Sequence, residues 1–317
     1  EAAEQTARQA LDARTELATF VEREALERNL WTFKEQYLYH AMFTDVPEGV
    51  KFFVAAFDQA TQAYRFSFRE SLLRQMTAYV ETLDAEQRYQ VEIRQSKHLM
   101  DNGQHTEARD LLEKMAARPE LQPQQRIETL IQLANVQIRL GKLQDGIQLF
   151  KDAVRISYEN GEKAWIAKAE TGLGWAYRLT AAFRKAGEHY ETALDLAMEL
   201  GLKKEQALLY NNLGFVYAYY EHIPNHRDKA EWFCHQSLAI AEELDDRRGQ
   251  GQSYSTLGCI TYMEGRFDRA LTYFQKAIDI FEPADDREWL STVYSWRAAV
   301  YMSMDNFLLA ERDLFRS

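Results

Sequence analysis

The sequence predicts an all-α chain: a solenoid of antiparallel helix pairs preceded by a separate helical region. Three observations predict it. The first is a small-residue beat. Ala134, Gly174, Gly214, Gly258 and Ala298 stand 40, 40, 44 and 40 residues apart. A second small residue follows 12 later at Gly146, Ala186, Ala270 and Ala310, and 16 later at Ala230. Ser96 and Ala108 form an earlier copy, 38 residues before Ala134. A fixed period of this size is the mark of stacked supersecondary units. The second observation is composition: only 5 Pro and 14 Gly among 317 residues, which favours helix. The third is the spacing of large residues around each small one, in steps of 3, 4 and 7, which keeps them on one helical face.

In chain order, residues 1–84 do not keep the beat. Leu17, Phe20 and Val21 share one helical face, and Leu26, Leu30, Phe33 and Tyr37 follow at steps of 4, 3 and 4. One long amphipathic helix is expected to about His40, with a phase slip between the two groups. Pro47 and Gly49 in TDVPEG break it. The Phe-rich stretch from Lys51 to Met76 reads as one or two further helices. This region either caps the open hydrophobic edge of the first repeat or connects to an upstream regulated domain.

From residue 85 each unit reads as two helices. The first carries Leu, a small residue and, three positions on, a Tyr slot: LANVQ at 133, LGWAY at 173, LGFVY at 213, LGCIT at 257, with Thr261 in the Tyr slot and Tyr262 next to it, and RAAVY at 297, with Arg297 in the Leu slot. The second carries a small residue, an aromatic four later and Ala three beyond that, as in Ala186, Tyr190 and Ala193. Small residues at fixed positions let paired helices approach, and the aromatic fills the space towards the next pair. Gly141 and Gly265 mark the turn inside a unit; Gly161 and Gly201 end second helices. The 44-residue step is an insertion in the fourth unit, EHIPNHRDKA, where Pro224 and Asn225 predict an enlarged turn.

These motifs resemble the tetratricopeptide repeat (TPR) family over residues 85–317. Its usual period is about 34; a period near 40 is similar to the long-repeat subset of kinesin light chains, spindle-orientation adaptors, maltotriose-responsive activators and the sensor regions of bacterial STAND-type signalling ATPases. The resemblance implies a right-handed superhelix of about six repeats, the last truncated, whose first helices line a concave binding groove. The residues it nominates there are Asn135, Arg139, Trp175, Arg178, Asn211, Phe215, Tyr219, Tyr262 and Trp296, with Ile138, Cys259 and Met302 beside them. Aromatics and Arg are the residue types that dominate interface energetics. Chaperone-binding TPRs hold a peptide carboxylate with a basic clamp; the matching positions here, Ile131, Thr171 and Ser255, are not basic.

Composition excludes other classes. The formal net charge of −11 argues against a nucleic-acid footprint. No apolar run is long enough to span a membrane. Two cysteines, Cys234 and Cys259, make no disulfide framework and fit a reducing cytoplasm. No phosphate loop, dinucleotide fingerprint, HExxH or GxSxG motif occurs, so the chain is not expected to be an enzyme and no cofactor is expected. Glu221, His222, His226, Cys234 and His235 cluster, but their spacing fits no zinc finger, and Cys234 occupies a packing slot. The runs EELDDRR (242–248) and ADD (284–286) read as solvated turns between repeats.

The chain begins with Glu1 and stops within a second helix, so an excerpt of a longer protein is expected. The functional expectation is a cytoplasmic, non-catalytic module that senses a protein or peptide partner within a signalling protein, in contact with a neighbouring domain. Two alternatives stand beside it: a passive scaffold self-associating through residues 1–84, and a small-molecule sensor.

Overall fold

The structure, a computed structural model, describes residues 20–62, 65–220, 225–284 and 286–317, with side chains from Arg28 onward, Gln62 and Phe66 excepted. Among them are fifteen α-helices and no strand. They fall into two compact units, 1–121 and 122–317. Compactness thus groups the first repeat with the N-terminal helices, whereas repeat phase groups it with the array.

The first unit contains α1 (Phe20–Thr44), α2 (Val46–Gln62), α3 (Phe66–Thr77), a 3-10 turn, α4 (Ala85–Asp101) and α5 (His105–Ala116). Pro47 does not end α1 so much as begin α2. Pro is tolerated in a helix's first turn, and the Asp45 carboxylate accepts the Glu48 amide there at 3.1 Å. The buried stripe of α1 is rotated from the expected one. Leu30, Lys34, Leu38 and Met42 are buried, while Phe33 and Tyr37 lie half-buried at its edge. Lys34 tolerates burial because its ammonium reaches the Gln59 amide oxygen and lies over the Trp31 ring. The Leu17 end of the expected face lies outside the described residues. The core joins Leu38, Met42, Phe53, Phe57, Leu72 and Met76 to Val91 of α4. Three arginines of low exposure are each held by a carboxylate: Arg69 by Asp101, Arg94 by Asp58 and Arg118 by Glu92.

The second unit is five helix pairs: α6 (Pro123–Arg139) with α7 (Leu143–Asn160), α8 (Lys163–Leu179) with α9 (Phe183–Glu199), α10 (Lys203–Tyr217) with α11 (His226–Glu243), α12 (Arg247–Met263) with α13 (Phe267–Phe281), and α14 (Arg287–Ser303) with α15 (Phe307–Leu314). The small-residue beat has a steric cause. A Cβ on Gly174 would sit 2.7 Å from the Tyr190 ring, on Gly214 2.3 Å from the Cys234 sulfur, and on Gly258 2.6 Å from the Phe274 ring. Each small slot is therefore the floor on which the partner helix's large residue rests.

The turns repeat as well. Gly141, Ala181, Gly265 and Asp305 occupy corresponding positions and all have positive φ, between 55° and 79°. Two of these turns use glycine, as expected; Ala181 holds the same conformation despite its Cβ. The insertion's Glu221–Pro224 lies outside the described residues, as do Glu221 and His222 of the His/Cys cluster. Among the described residues no His, Cys or carboxylate group could hold a metal, and no helix is long and apolar enough to cross a membrane.

Arg297, in the Leu slot of the last pair, is explained by a partner 16 residues away. Its guanidinium donates to both Asp313 oxygens at 2.6 and 2.9 Å and to the Gln275 amide oxygen at 2.8 Å, and both charged side chains are buried.

Candidate functional site

The first helices form the inner side of the array. Those of successive pairs approach one another directly, α6 to α8, α10 to α12 and α12 to α14, whereas no second helix approaches another second helix to the same extent among the described residues. A stack whose first helices crowd together curves towards them. A side-chain contact fits this curvature: Arg139 at the end of α6 lies 3.7 Å from Glu288 at the start of α14, four pairs further on.

On this side the nominated residues form three groups. The central one is built on α8 and α10. The Arg178 guanidinium lies over the Phe215 ring at 4.8 Å. Phe215 and Tyr219 rings are 5.3 Å apart, and Phe183, the first residue of α9, stacks on Tyr219 at 4.3 Å and 13°. Asn211 stands one turn before Phe215 and is 6% exposed. Spacing of four places the two on one face.

Polar atoms in this group lack partners. The Asn211 side-chain oxygen, the Arg178 Nε and the Tyr190 hydroxyl are buried without a hydrogen bond. Buried polar atoms are nearly always satisfied in folded proteins. Burial pushes the Tyr190 hydroxyl up to about 12, against the opposing pull of Arg178. Tyr219 is raised too, by burial first and then by Cys259, with Arg178 again opposing.

The second group is Tyr262 and Trp296, whose rings meet edge-on at 6.1 Å. Both also pack on the core cluster around Phe274 and Phe281, so part of each is structural. The third is Arg139, exposed and facing Glu288. Asn135 is half-buried. Trp175 is half-buried between two core clusters, one around Phe150 and one around Tyr190, and so fills the gap between repeats. Cys259 is not a lining residue: it is 4% exposed, and burial drives its thiol far up. Ile138 is likewise buried, whereas Met302 is exposed. Phe183 and Glu288 lie outside the repeat motif, which spans the middle of the first helices. Phe183 opens a second helix and Glu288 stands one residue into α14. The available signal is an aromatic at the same offset in two later repeats, Phe267 and Phe307.

Residues 125–199 and 225–282 match the family model described as Tetratricopeptide repeat. The matched segments are tetratricopeptide repeats. No curated protein matches the chain in sequence. Solved structures share the fold of this chain at low identity. The apo form of RapI is 15% identical, with a TM-score of 0.68, over 84% of this chain and 96% of that one. The Rap conjugation gene regulator of the plasmid pLS20, in complex with the Phr* peptide, is 12% identical, with a TM-score of 0.66, over 95% and 76%. A STAND protein with a tetratricopeptide repeat sensor from Pyrococcus horikoshii is 16% identical, with a TM-score of 0.60; the match covers 94% of this chain and 46% of that one.

Proposed function

We propose that the array binds a protein or peptide partner on the inner side of its first helices, and that it does so as the sensing part of a larger cytoplasmic signalling protein. The observation that carries the reading is the central group. Rigid aromatic surface and a guanidinium converge there, the combination that anchors interfaces. The folds it resembles support the reading: the pLS20 regulator is seen with a peptide, and the Pyrococcus protein joins a TPR sensor to an ATPase. A sensor of this kind works only if its partner prefers one arrangement of the protein over another. The two buried free thiols suit a reducing compartment. Residues 1–84 serve, in this reading, as a cap on the first repeat of an array spanning 85–317, because α2 and α3 both pack on α4.

The test is placement of the partner. A photo-crosslinking residue is introduced at Arg139 or Met302 on the inner side, and at Glu188 on the exposed side of a second helix, and each protein is irradiated with a mixed-sequence peptide pool. Crosslinks from the inner positions alone are expected. Equal or stronger crosslinking from Glu188 contradicts the assignment. One observation favours a second reading, assembly through the N-terminal region: Tyr39 and Phe43 of α1 are 58% and 81% exposed. Concentration-dependent sedimentation that vanishes in Phe43→Glu would support it.

A further inference from the structure

The arginines of low exposure sort into two kinds. Arg69, Arg94 and Arg297 each hold a carboxylate of the chain itself, at 2.7, 2.7 and 2.6 Å. Arg88, Arg178 and Arg227, each half-buried, hold none, and the Nε of each is buried without a partner. Of the three, Arg178 is the one whose guanidinium lies over an aromatic ring of the inner face. An arginine is a permanent cation with five donors, and a charge withdrawn from water without a counter-ion is costly. The chain does not lack carboxylates, since 49 Asp and Glu stand against 38 Lys and Arg. Phe215 lies beneath Arg178, and Tyr190, Tyr219 and Cys259 are near enough to feel its charge.

Building on the inner-face reading above, we infer that Arg178 is the anchor for a carboxylate of the bound peptide. Phe215, Tyr219 and Phe183 then cover the apolar part of the residue that bears the carboxylate. Guanidinium–carboxylate bonds are among the stronger hydrogen bonds available, and here the stem is already fixed over a ring. This differs from the basic clamp of chaperone-binding TPRs, whose positions are Ile131, Thr171 and Ser255 here; a single cation on the last turn of α8 replaces it.

The experiment uses mixed-sequence hexapeptide pools of three kinds: free C-terminus, amidated C-terminus with Glu at a fixed position, and amidated with Gln there. Binding to the full chain and to Arg178→Gln is read by fluorescence anisotropy, with the melting temperature and inner-face crosslinking as controls for folding. The wild type is expected to bind at least one carboxylate pool tenfold or more tightly than the neutral pool, and Arg178→Gln to lose that preference while still crosslinking the neutral pool from Arg139. The first pool against the second separates a terminal carboxylate from a side-chain one. Equal binding of carboxylate and neutral pools by the wild type, or a preference that survives in Arg178→Gln, overturns this inference and leaves the inner-face assignment standing. No binding of any pool overturns both.

Discussion

Two arginines on first helices divide the array into a finished end and an open middle. Arg297, in α14, is enclosed with Asp313 and Gln275 and satisfied by them. Arg178, in α8, is half-buried over Phe215, and its Nε has no partner. Both cations lie against aromatic rings, so the ring does not explain the difference. Where the array needs a charge for its own packing, it supplies the counter-charge from the next helix. At Arg178 it supplies none, and in the present account that charge is left for a partner. A buried arginine is therefore not evidence of a site until its acceptors have been counted.

The contrast can be broken most severely at the finished end. Arg297→Met strands Asp313 in the core, and breaking a buried pair on one side costs about 3–5 kcal/mol. Because a solenoid's stability is a sum over neighbours, the loss is expected to appear as faster hydrogen exchange in α14 and α15, with α8 little changed. Replacing both partners, Arg297→Met with Asp313→Leu, should recover most of it. A loss spread evenly over the array counts against nearest-neighbour coupling.

A smaller effect tests whether the middle is closely packed despite its open site. Gly214 faces the Cys234 sulfur and the Ala230 carbonyl, with no space for a Cβ. Gly214→Ala is expected to cost about 1–3 kcal/mol in urea unfolding through overpacking. An unchanged midpoint would mean that the beat is not steric at this repeat. Smaller still is the turn after α8. Ala181 sits at φ 55°, where an L-residue pays about 1–2 kcal/mol, offset in part by glycine's greater chain entropy. Ala181→Gly should therefore raise stability by about 0.5–1 kcal/mol; a fall would show that the Ala181 methyl makes a contact worth more than its strain.

The beat made the helix pairs legible, because the residues that cause it are local: Gly174, Gly214 and Gly258 face partners 12 to 20 residues away. The turn glycines were legible for the same reason. Arg297 could be flagged as out of place in a Leu slot, but not explained, since Asp313 lies on the following helix at a spacing no motif encodes. Arg178, Asn211, Phe215 and Tyr219 were nominated by their place in the repeat. That Arg178 lacks an acceptor is a property of everything around it, which a sequence does not display. Cys259 occupies a lining position by the same phase and is buried, because it packs in the core cluster with Phe274 and Phe281. In α1 the long amphipathic helix was legible and its orientation was not, since Lys34 is hidden by Gln59, 25 residues on.

The most direct measurement is the melting temperature of Arg178→Met, with and without a saturating carboxylate-bearing peptide pool. If Arg178 serves a partner, the substitution removes an unsatisfied charge. The unliganded protein should then melt at the wild-type temperature or slightly above it, within about 1 kcal/mol, and the pool's stabilisation, which follows from binding the folded state, should disappear. A substantial fall in the unliganded melting temperature, with the pool's stabilisation retained, would place Arg178 with Arg297 among the residues that hold the fold, and the account of the inner face would fail at its centre.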